Sequence, residues 1–287
     1  MTLYVNGVEV GGGGGGASIP VSDPADLLAG ATASRIMGTD SGGDGALVTA
    51  DAVAWANRRP AATANTRLLW ECDGTSGAVA NTGSLGASGN LTAGGALVRN
   101  NVSLVSTLGA GIYCDGTSTG QAVGAVGVIP TGASSSITAW VSAVVPSGWT
   151  GNQTLLARDY AASGWAPPYI GIMLSLRGGG RAVAHVNRGG TYAAADIPLT
   201  KTSGQLFIGL TYDGATLSLW ADGVLLGAVG ASGAIDWGTG GKWHLGANES
   251  GECFTGTILR AGVEQGVWDA ARWRQETLRA RGNWIAP

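Results

Sequence analysis

The chain has 287 residues, of which 51 are glycine, and only 12% of its residues are charged. The 45% hydrophobic content and the 11 tryptophans exclude a fully disordered chain, and the irregular spacing of the glycines excludes collagen. The net charge of −3 offers no basic face to a phosphate backbone, so we expect no nucleic-acid binding. No apolar run approaches 18 residues, so no membrane insertion is expected.

Residues 1–65 are predicted to form an N-terminal arm and attachment segment. The first ten residues alternate weakly and indicate a short strand or hairpin, with Asn6-Gly7 as the turn. An uninterrupted glycine run, residues 11–16, follows and would be flexible in isolation. Short helices are predicted after Asp23 and Thr49. No secretory signal is expected, because the N-terminus lacks a cationic segment and a long apolar stretch.

This arm has too few large apolar residues to form a core of its own, so it is expected to dock on another molecule. The attachment mode that needs no special residues is main-chain pairing of the first strand together with burial of its apolar side chains. The candidate attachment residues are Leu3, Val5, Val8 and Val10.

From about residue 66 the sequence has the period-two pattern of β-strands. Two Asp-Gly pairs, Asp213-Gly214 and Asp222-Gly223, lie between alternating apolar runs and predict consecutive hairpins. Further alternating runs cover 137–145, 170–176 and 182–186, and short strands are predicted at 242–247 and 256–263. One run is expected to share a single core face through Ile170, Ile172, Leu174 and Leu176. Many short strands with little helix predict an all-β sandwich or barrel.

One helix is predicted near the C-terminus, with Asp269 as its cap and Gly282 as its stop. Its spacing of three, four and three residues places one set of side chains on a common face: Ala270, Trp273, Thr277 and Ala280.

Several stretches together resemble the laminin-G-like, concanavalin A-like jelly-roll family. They are LLWECDGTSGAVANTGSLGASGNLT, GIYCDGTSTG, SITAWVSAVV, LFIGLTYDGATLSLWADGVLLG and KWHLGANESGECFTGTILRAGV, between about residues 67 and 285. The resemblance implies an all-β fold over residues 66–287, an antiparallel jelly-roll sandwich of two sheets with one C-terminal helix. It also implies glycan or calcium binding on a concave face or at loop ends.

The N-terminal stretch SRIMGTDSGGDGALVTADAVAWA resembles a segment of bacteriophage tail-fibre and other virion proteins. The residues that carry this resemblance are Arg35, Ile36, Gly38, Ser41, Gly43 and Gly45. It implies a virion component that is made in the host cytoplasm.

The chemistry of an enzyme is largely missing from the sequence. A glucanase of this fold needs carboxylates aligned along a strand, whereas the nearest pair, Glu249 and Glu252, is expected to be solvated on a loop. His185 and His244 lie in predicted strands, and no catalytic triad can be assigned to either. We therefore expect a protein without catalytic activity.

No cofactor is predicted, and calcium is kept as an alternative. The candidate oxygen ligands near loop positions used by the resembled family are Asp73, Asp115, Asp159 and Asn248. Turn formation accounts equally for the Asp-Gly pairs among them. The three cysteines are expected to be free thiols, with a Cys72–Cys114 bridge as the alternative.

Aromatic residues in Gly/Pro/Ser-rich segments are the candidate ligand-binding residues, because flat rings stack on the C–H faces of sugars. They are Trp149, Trp165, Tyr169 and Trp237. The alternative is that these rings plug the ends of the sandwich or face a neighbouring subunit.

The sequence is interpreted as a structural protein of a bacteriophage virion: a tail fibre, a tail-associated protein or a capsid decoration. Its partners are expected to be other virion proteins, copies of itself and surface polysaccharide, which the lectin-like jelly roll binds. The alternative is a free bacterial glycan-binding or glycan-processing protein of the same fold.

Overall fold

The computed structural model describes residues 3–5, 8–10, 62–99, 111–130, 136–160 and 169–280. The chain divides into two compact units, one of residues 61–277 and the other of residues 1–60 with 278–287. At the N-terminus β1 (Leu3–Val5) pairs antiparallel with β2 (Val8–Val10), as the predicted hairpin requires. The glycine run 11–16, the virion-like stretch and the helices predicted after Asp23 and Thr49 lie outside the described residues, as do the side chains of the two strands.

The larger unit is built mainly from short antiparallel strands. They are β3 (Thr66–Glu71), β4 (Leu91–Ala93), β5 (Ile112–Asp115), β6 (Ala122–Gly124), β7 (Ile137–Val145), β8 (Gln153–Asp159), β9 (Ile170–Arg177), β10 (Arg181–Arg188), β11 (Thr191–Pro198), β12 (Gly204–Tyr212), β13 (Thr216–Ala221), β14 (Val224–Gly230), β15 (Trp243–Leu245) and β16 (Thr255–Gln265). A 3₁₀ turn (Gly86–Gly89) and the helix α1 (Ala270–Ala280) complete the described elements.

These strands form two antiparallel sheets. The first has the order β14-β13-β12-β7-β16-β3, with β5 also paired to β16. The second has the order β11-β10-β9-β8-β15-β6-β4. One continuous hydrophobic core is built from both sheets, so the predicted all-β sandwich of two sheets is confirmed.

Strand alternation builds this core, because successive side chains of a strand point to opposite faces of its sheet. Strand β7 contributes every second residue from Ile137 to Val145, as predicted. Ile172, Leu174 and Leu176 of β9 also enter the core. Ile170 does not: the pairing of β8 with β9 shifts register between Arg158 and Asp159, and Ile170 packs in a separate cluster outside the core.

The two predicted Asp-Gly hairpin turns are both confirmed. Asp222 and Gly223 have φ of 51° and 80°, as a two-residue turn of type I′ requires. At the other turn, the carboxylate of Asp213 accepts hydrogen bonds from the backbone N–H groups of Ala215 at 2.8 Å and Thr216 at 2.6 Å. The aspartate of each turn therefore stabilises the turn itself, and no ligand is needed to explain its presence.

The helix α1 covers the side of the first sheet that faces away from the core. The ring of Trp273 lies 5.6 Å from that of Trp220, 5.8 Å from Phe207 and 5.0 Å from Trp268. Asp269 caps the helix by accepting a hydrogen bond from the N–H of Arg272 at 2.7 Å. Within the described ranges, no helix has the length and apolar character needed to cross a bilayer.

The three cysteines are free, so the Cys72–Cys114 bridge is not formed. Cys72 and Cys114 are buried, and burial raises the pKa of both thiols, that of Cys114 to about 12. Both side chains therefore act as small apolar residues of the core.

Candidate functional site

One side of the second sheet points away from the core, and we call it the outer face. A row of paired residues crosses it: His244 is opposite Ala157, Ala157 opposite Met173, Met173 opposite His185, and His185 opposite Ala194. Paired residues of antiparallel strands project from the same side of the sheet. The row thus connects five adjacent strands and places the chain's two histidines on one surface.

Three aromatic side chains lie around the β9–β11 part of this row, and we call them the tyrosine cluster: Tyr169, Tyr192 and His185. The tyrosine rings are almost parallel, with an interplanar angle of 10° and centroids 6.4 Å apart. The edge of His185 meets the ring of Tyr192 at 6.5 Å and 79°. All three side chains are half-buried, and the tyrosines pack on a small apolar group that contains Met173.

The tyrosine cluster carries polar atoms beneath its half-buried rings. His185 Nδ1 is buried and has no hydrogen-bond partner among the described residues, whereas Tyr192 Oη is buried beside the backbone of Ile170, with which it forms a hydrogen bond. Burial raises the pKa of Tyr192 more than this hydrogen bond lowers it, and burial together with Arg177 lowers the pKa of His185 to about 4. Both groups are consequently neutral at pH 7, and a hydroxyl and an imidazole can exchange hydrogen bonds with hydroxylated molecules.

Charged residues border the outer face where β9 turns into β10. Arg177 Nη1 lies 2.5 Å from Asp196 Oδ2, and Arg181 Nε lies 2.7 Å from Asp196 Oδ1. These side chains are partly exposed, so solvent screens their charges. The outer face thus combines an aromatic patch with polar groups, which is the composition of many small-ligand sites.

A second group lies at the β15 end of the same row. His244 Nε2 is 2.5 Å from Asp159 Oδ2 and 3.9 Å from Glu249 Oε1. The Asp159 and His244 side chains are only 2% and 3% exposed, while that of Glu249 is 26% exposed. Lys242 Nζ lies 3.8 Å from Glu249 Oε1, and the Gln121 amide oxygen lies 2.9 Å from His244 Nδ1. We call Asp159, His244 and Glu249 the acidic–histidine group.

The sequence-predicted ligand-binding residues occupy different positions. Tyr169 belongs to the tyrosine cluster. Trp149 packs partly buried against the core, and its Nε1 donates a hydrogen bond to the carbonyl of Thr202 at 2.7 Å. Trp237 lies in the core beside Trp243, with its ring under the guanidinium of Arg158, so the structure gives it a packing role. Trp165 lies outside the described residues.

The four predicted calcium ligands do not form one group. Asp115 is exposed and accepts hydrogen bonds from the N–H and hydroxyl of Thr117, which lower its pKa and stabilise a turn. Asp73 is half-buried in the turn after β3. The side chain of Asn248 is engaged within its own loop, where its Oδ1 accepts a hydrogen bond from the N–H of Glu252 at 3.1 Å. Among the described residues, only Asp159 of these four joins a set able to share an ion.

The structure departs from the sequence-based expectation at two glutamates and one tyrosine. Glu249 and Glu252 were expected to be solvated, yet Glu249 approaches His244, and Glu252 accepts hydrogen bonds from Asn152 and Asn248. Tyr192 lies on β11, a strand that the sequence pattern does not predict. The segment TYAAADIP contains three consecutive alanines and no polar–apolar alternation, so periodicity gives no signal for this strand.

No protein-family model and no curated protein matches the sequence. Solved structures match it in fold. Domain 4 of the arabinanase AbnA from Geobacillus stearothermophilus, solved with arabinotriose, is 13% identical with a TM-score of 0.55, over 74% of this chain and 98% of that one. Trypanosoma rangeli sialidase is 12% identical with a TM-score of 0.54, over 83% of this chain and 39% of that one.

The binding domain of botulinum neurotoxin serotype G is 11% identical with a TM-score of 0.53, over 74% of this chain and 50% of that one. The chain therefore spans half or less of the length of the sialidase and the neurotoxin domain. At such low identities these likenesses establish the jelly-roll fold and leave function to be argued from the site.

Proposed function

We propose that the outer face of the second sheet binds a glycan, with the tyrosine cluster as its stacking surface. The observation that carries the proposal is the pair of nearly parallel, half-buried rings of Tyr169 and Tyr192 on the side opposite the core. A pyranose or furanose ring presents an apolar C–H face, and such a face packs well on a flat aromatic ring. A core residue would be covered completely, whereas these rings keep part of their surface accessible.

The polar atoms of the cluster suit the hydroxyl groups of a sugar. Tyr192 Oη donates and accepts hydrogen bonds, and the neutral ring of His185 does the same through its two nitrogens. A bound sugar would satisfy His185 Nδ1, which has no partner in the described part of the chain. Because both groups are uncharged at pH 7, the proposed ligand is a neutral sugar at this position.

The fold comparison suggests one oligosaccharide to test. The AbnA domain was solved with arabinotriose, and the match covers 98% of that domain. Arabinotriose is therefore one member of the test panel, beside bacterial surface polysaccharides and other neutral oligosaccharides.

The proposed role is binding without catalysis. Glu252 is held by two asparagine side chains, and Glu249 lies beside a lysine, so neither resembles the facing pair of a glycosidase. Release of reducing ends from any bound polysaccharide would contradict this part of the proposal and would favour a glycan-processing protein.

The test is a glycan array followed by calorimetric titration of each hit. The wild-type protein is expected to bind at least one neutral glycan, and Tyr192→Ala is expected to weaken binding by about fivefold or more, because a stacking contact is lost. Tyr192→Phe keeps the ring and removes the hydroxyl, so its loss is expected to be smaller.

The matched control is Tyr113→Ala, which removes a half-buried tyrosine of β5 in the first sheet. Its glycan affinity is expected to equal that of the wild type. The proposal fails if the wild-type protein binds nothing in the panel at millimolar concentration, or if Tyr192→Ala binds as well as the wild type.

We propose further that the protein is a bacteriophage virion component, attached through residues 1–60. The support is the resemblance of the SRIMGTDSGGDG stretch to virion proteins and the apolar alternation of the first ten residues. Deletion of residues 1–60 is expected to leave a folded, soluble β domain that no longer joins particles. Normal incorporation of the truncated protein would reject the attachment role and favour a free bacterial glycan-binding protein.

A further inference from the structure

The acidic–histidine group is a candidate site of a different kind from the tyrosine cluster. Its three side chains come from the end of β8, from β15 and from the loop that follows β15. Each offers one ligand atom, and these atoms all lie within 4.8 Å of one another. The two deepest side chains, those of Asp159 and His244, are almost completely buried.

The protonation of His244 follows from its neighbour Gln121. The amide nitrogen of Gln121 donates a hydrogen bond to the carbonyl of Ser118 at 2.7 Å, which fixes the orientation of the amide. Its oxygen therefore faces His244 Nδ1, at 2.9 Å. A carbonyl oxygen only accepts, so Nδ1 carries the proton, and Nε2 of the neutral ring presents a lone pair.

This lone pair faces a carboxylate. Nε2 lies 2.5 Å from Asp159 Oδ2, yet the contact lacks hydrogen-bond geometry: within the described ranges neither Nε2 nor either carboxylate oxygen of Asp159 has a hydrogen-bond partner. Two electron-pair donors at this distance repel each other unless a cation lies between them. A proton on Nε2 also relieves this repulsion, and a metal titration distinguishes the two cases.

We propose that Asp159, His244 and Glu249 bind a divalent transition-metal ion of the zinc class. Two carboxylates and a neutral imidazole supply a charge of −2, which such an ion balances. Histidine nitrogen and aspartate or glutamate oxygen are zinc ligands, and catalytic zinc sites keep three protein ligands with one open position. The imidazole disfavours calcium and magnesium, which prefer sites made only of oxygen ligands.

The surroundings have the features of a metal site. Gln121 holds the second ring nitrogen of His244, as outer partners of ligating histidines do. Glu249 is the partly exposed member, so its loop gives an ion a path from solvent to the buried pair. Lys242, which lies near Glu249, has a partly exposed side chain and can turn towards solvent when an ion binds.

The test uses the full chain without a polyhistidine tag, stripped with a chelator and dialysed. Titration with ZnCl₂ is expected to show one ion per chain by calorimetry and by elemental analysis, together with a rise in Tm. Titration with CoCl₂ is expected to give the visible absorption of a four-coordinate cobalt centre, which a loose surface ion does not produce.

Glu249→Gln is the first variant, because the residue is on a loop and the fold is expected to tolerate the change. It should weaken zinc binding at least tenfold. Gln121→Ala tests the positioning residue and should weaken binding by about tenfold while leaving one ion per chain. Asp115→Asn, which alters an exposed carboxylate outside the group, is the control and should bind zinc as the wild type does.

Three results would overturn the proposal. They are no zinc bound at 0.1 mM free metal, unchanged zinc affinity in Glu249→Gln, and saturable binding of calcium in preference to zinc. If no zinc binds, the 2.5 Å contact is that of a protonated histidine with a carboxylate. If calcium binds in preference to zinc, the site belongs to a cation that prefers oxygen ligands. None of these readouts depends on glycan binding, so the two proposals stand or fall separately.

Discussion

Gly209 of β12 lies directly under the ring of Trp273 in α1. A Cβ atom added to Gly209 would lie 2.2 Å from Cη2 of Trp273 and 2.5 Å from the backbone oxygen of Ala139. The close approach of the helix to the first sheet therefore depends on the absence of a side chain at this one position. The tryptophan is completely buried, so it has no room to move aside.

Gly209→Ala is expected to destabilise the protein by about 1–3 kcal/mol, because the added methyl group overpacks a filled space. Urea denaturation followed by tryptophan fluorescence measures the change. Gly230→Ala is the control: this glycine is also in a strand, and a Cβ there meets nothing within 4 Å. Equal unfolding midpoints for the two variants would show that the helix shifts freely on the sheet.

The regular part of the fold was predictable because it depends on local patterns. Alternation over Ile137–Val145 placed β7, the two Asp-Gly pairs located the hairpins, and the three- and four-residue spacing around Trp273 found the helix. Each of these signals is contained in about ten consecutive residues. One such pattern misled at Ile170, because the bulge in the β8–β9 pairing is set by strand contacts that alternation does not encode.

The candidate sites were less predictable because they depend on contacts between distant segments. Asp159 and His244 lie in contact because β8 pairs with β15, and no local sequence pattern around either residue predicts this contact. Tyr169 was identified, but its partner Tyr192 comes from β11, two strands away in the second sheet. Trp237 has a loop-like sequence context, yet its loop folds onto the core and buries the ring.

Asp269→Ala is expected to lower the free energy of unfolding by about 1 kcal/mol, because the N–H of Arg272 loses the carboxylate that caps α1. Asp269→Asn keeps an oxygen acceptor at the same position, so its loss is expected to be only a few tenths of a kcal/mol. Thermal and urea denaturation of both variants make the comparison. A larger loss for the asparagine variant than for the alanine variant would contradict the capping role.

Asn81→Ala is expected to cost about 2–4 kcal/mol of stability, because a buried side chain joins three backbone segments. Its Oδ1 accepts hydrogen bonds from the N–H groups of Leu69 at 2.7 Å and Gly83 at 3.0 Å, and its Nδ2 donates to the carbonyl of Gly86 at 2.9 Å. Asn81→Asp keeps both acceptor contacts but places a carboxylate oxygen against the carbonyl oxygens of Gly86 and Gly83, so we expect a loss at least as large in denaturation experiments. Wild-type stability in the alanine variant would show that water replaces all three contacts.

The neutral state of His185 makes stability depend on pH. Burial, with help from Arg177 and against Asp196 and Glu252, lowers its pKa from 6.5 to about 4. Between pH 4 and pH 6.5 the unfolded chain therefore binds a proton at this histidine, whereas the folded protein does not. The contribution of the neutral ring is fully present above pH 6.5 and is lost as the pH falls from 6.5 towards 4.

Over this window the free energy of unfolding of the wild type is expected to fall more steeply than that of His185→Asn, by at most about 1.4 kcal/mol per pH unit. Urea denaturation of both proteins at pH 4.5, 5.5 and 7.5 gives the difference. Parallel pH profiles would mean that His185 titrates normally in the folded protein and is open to water.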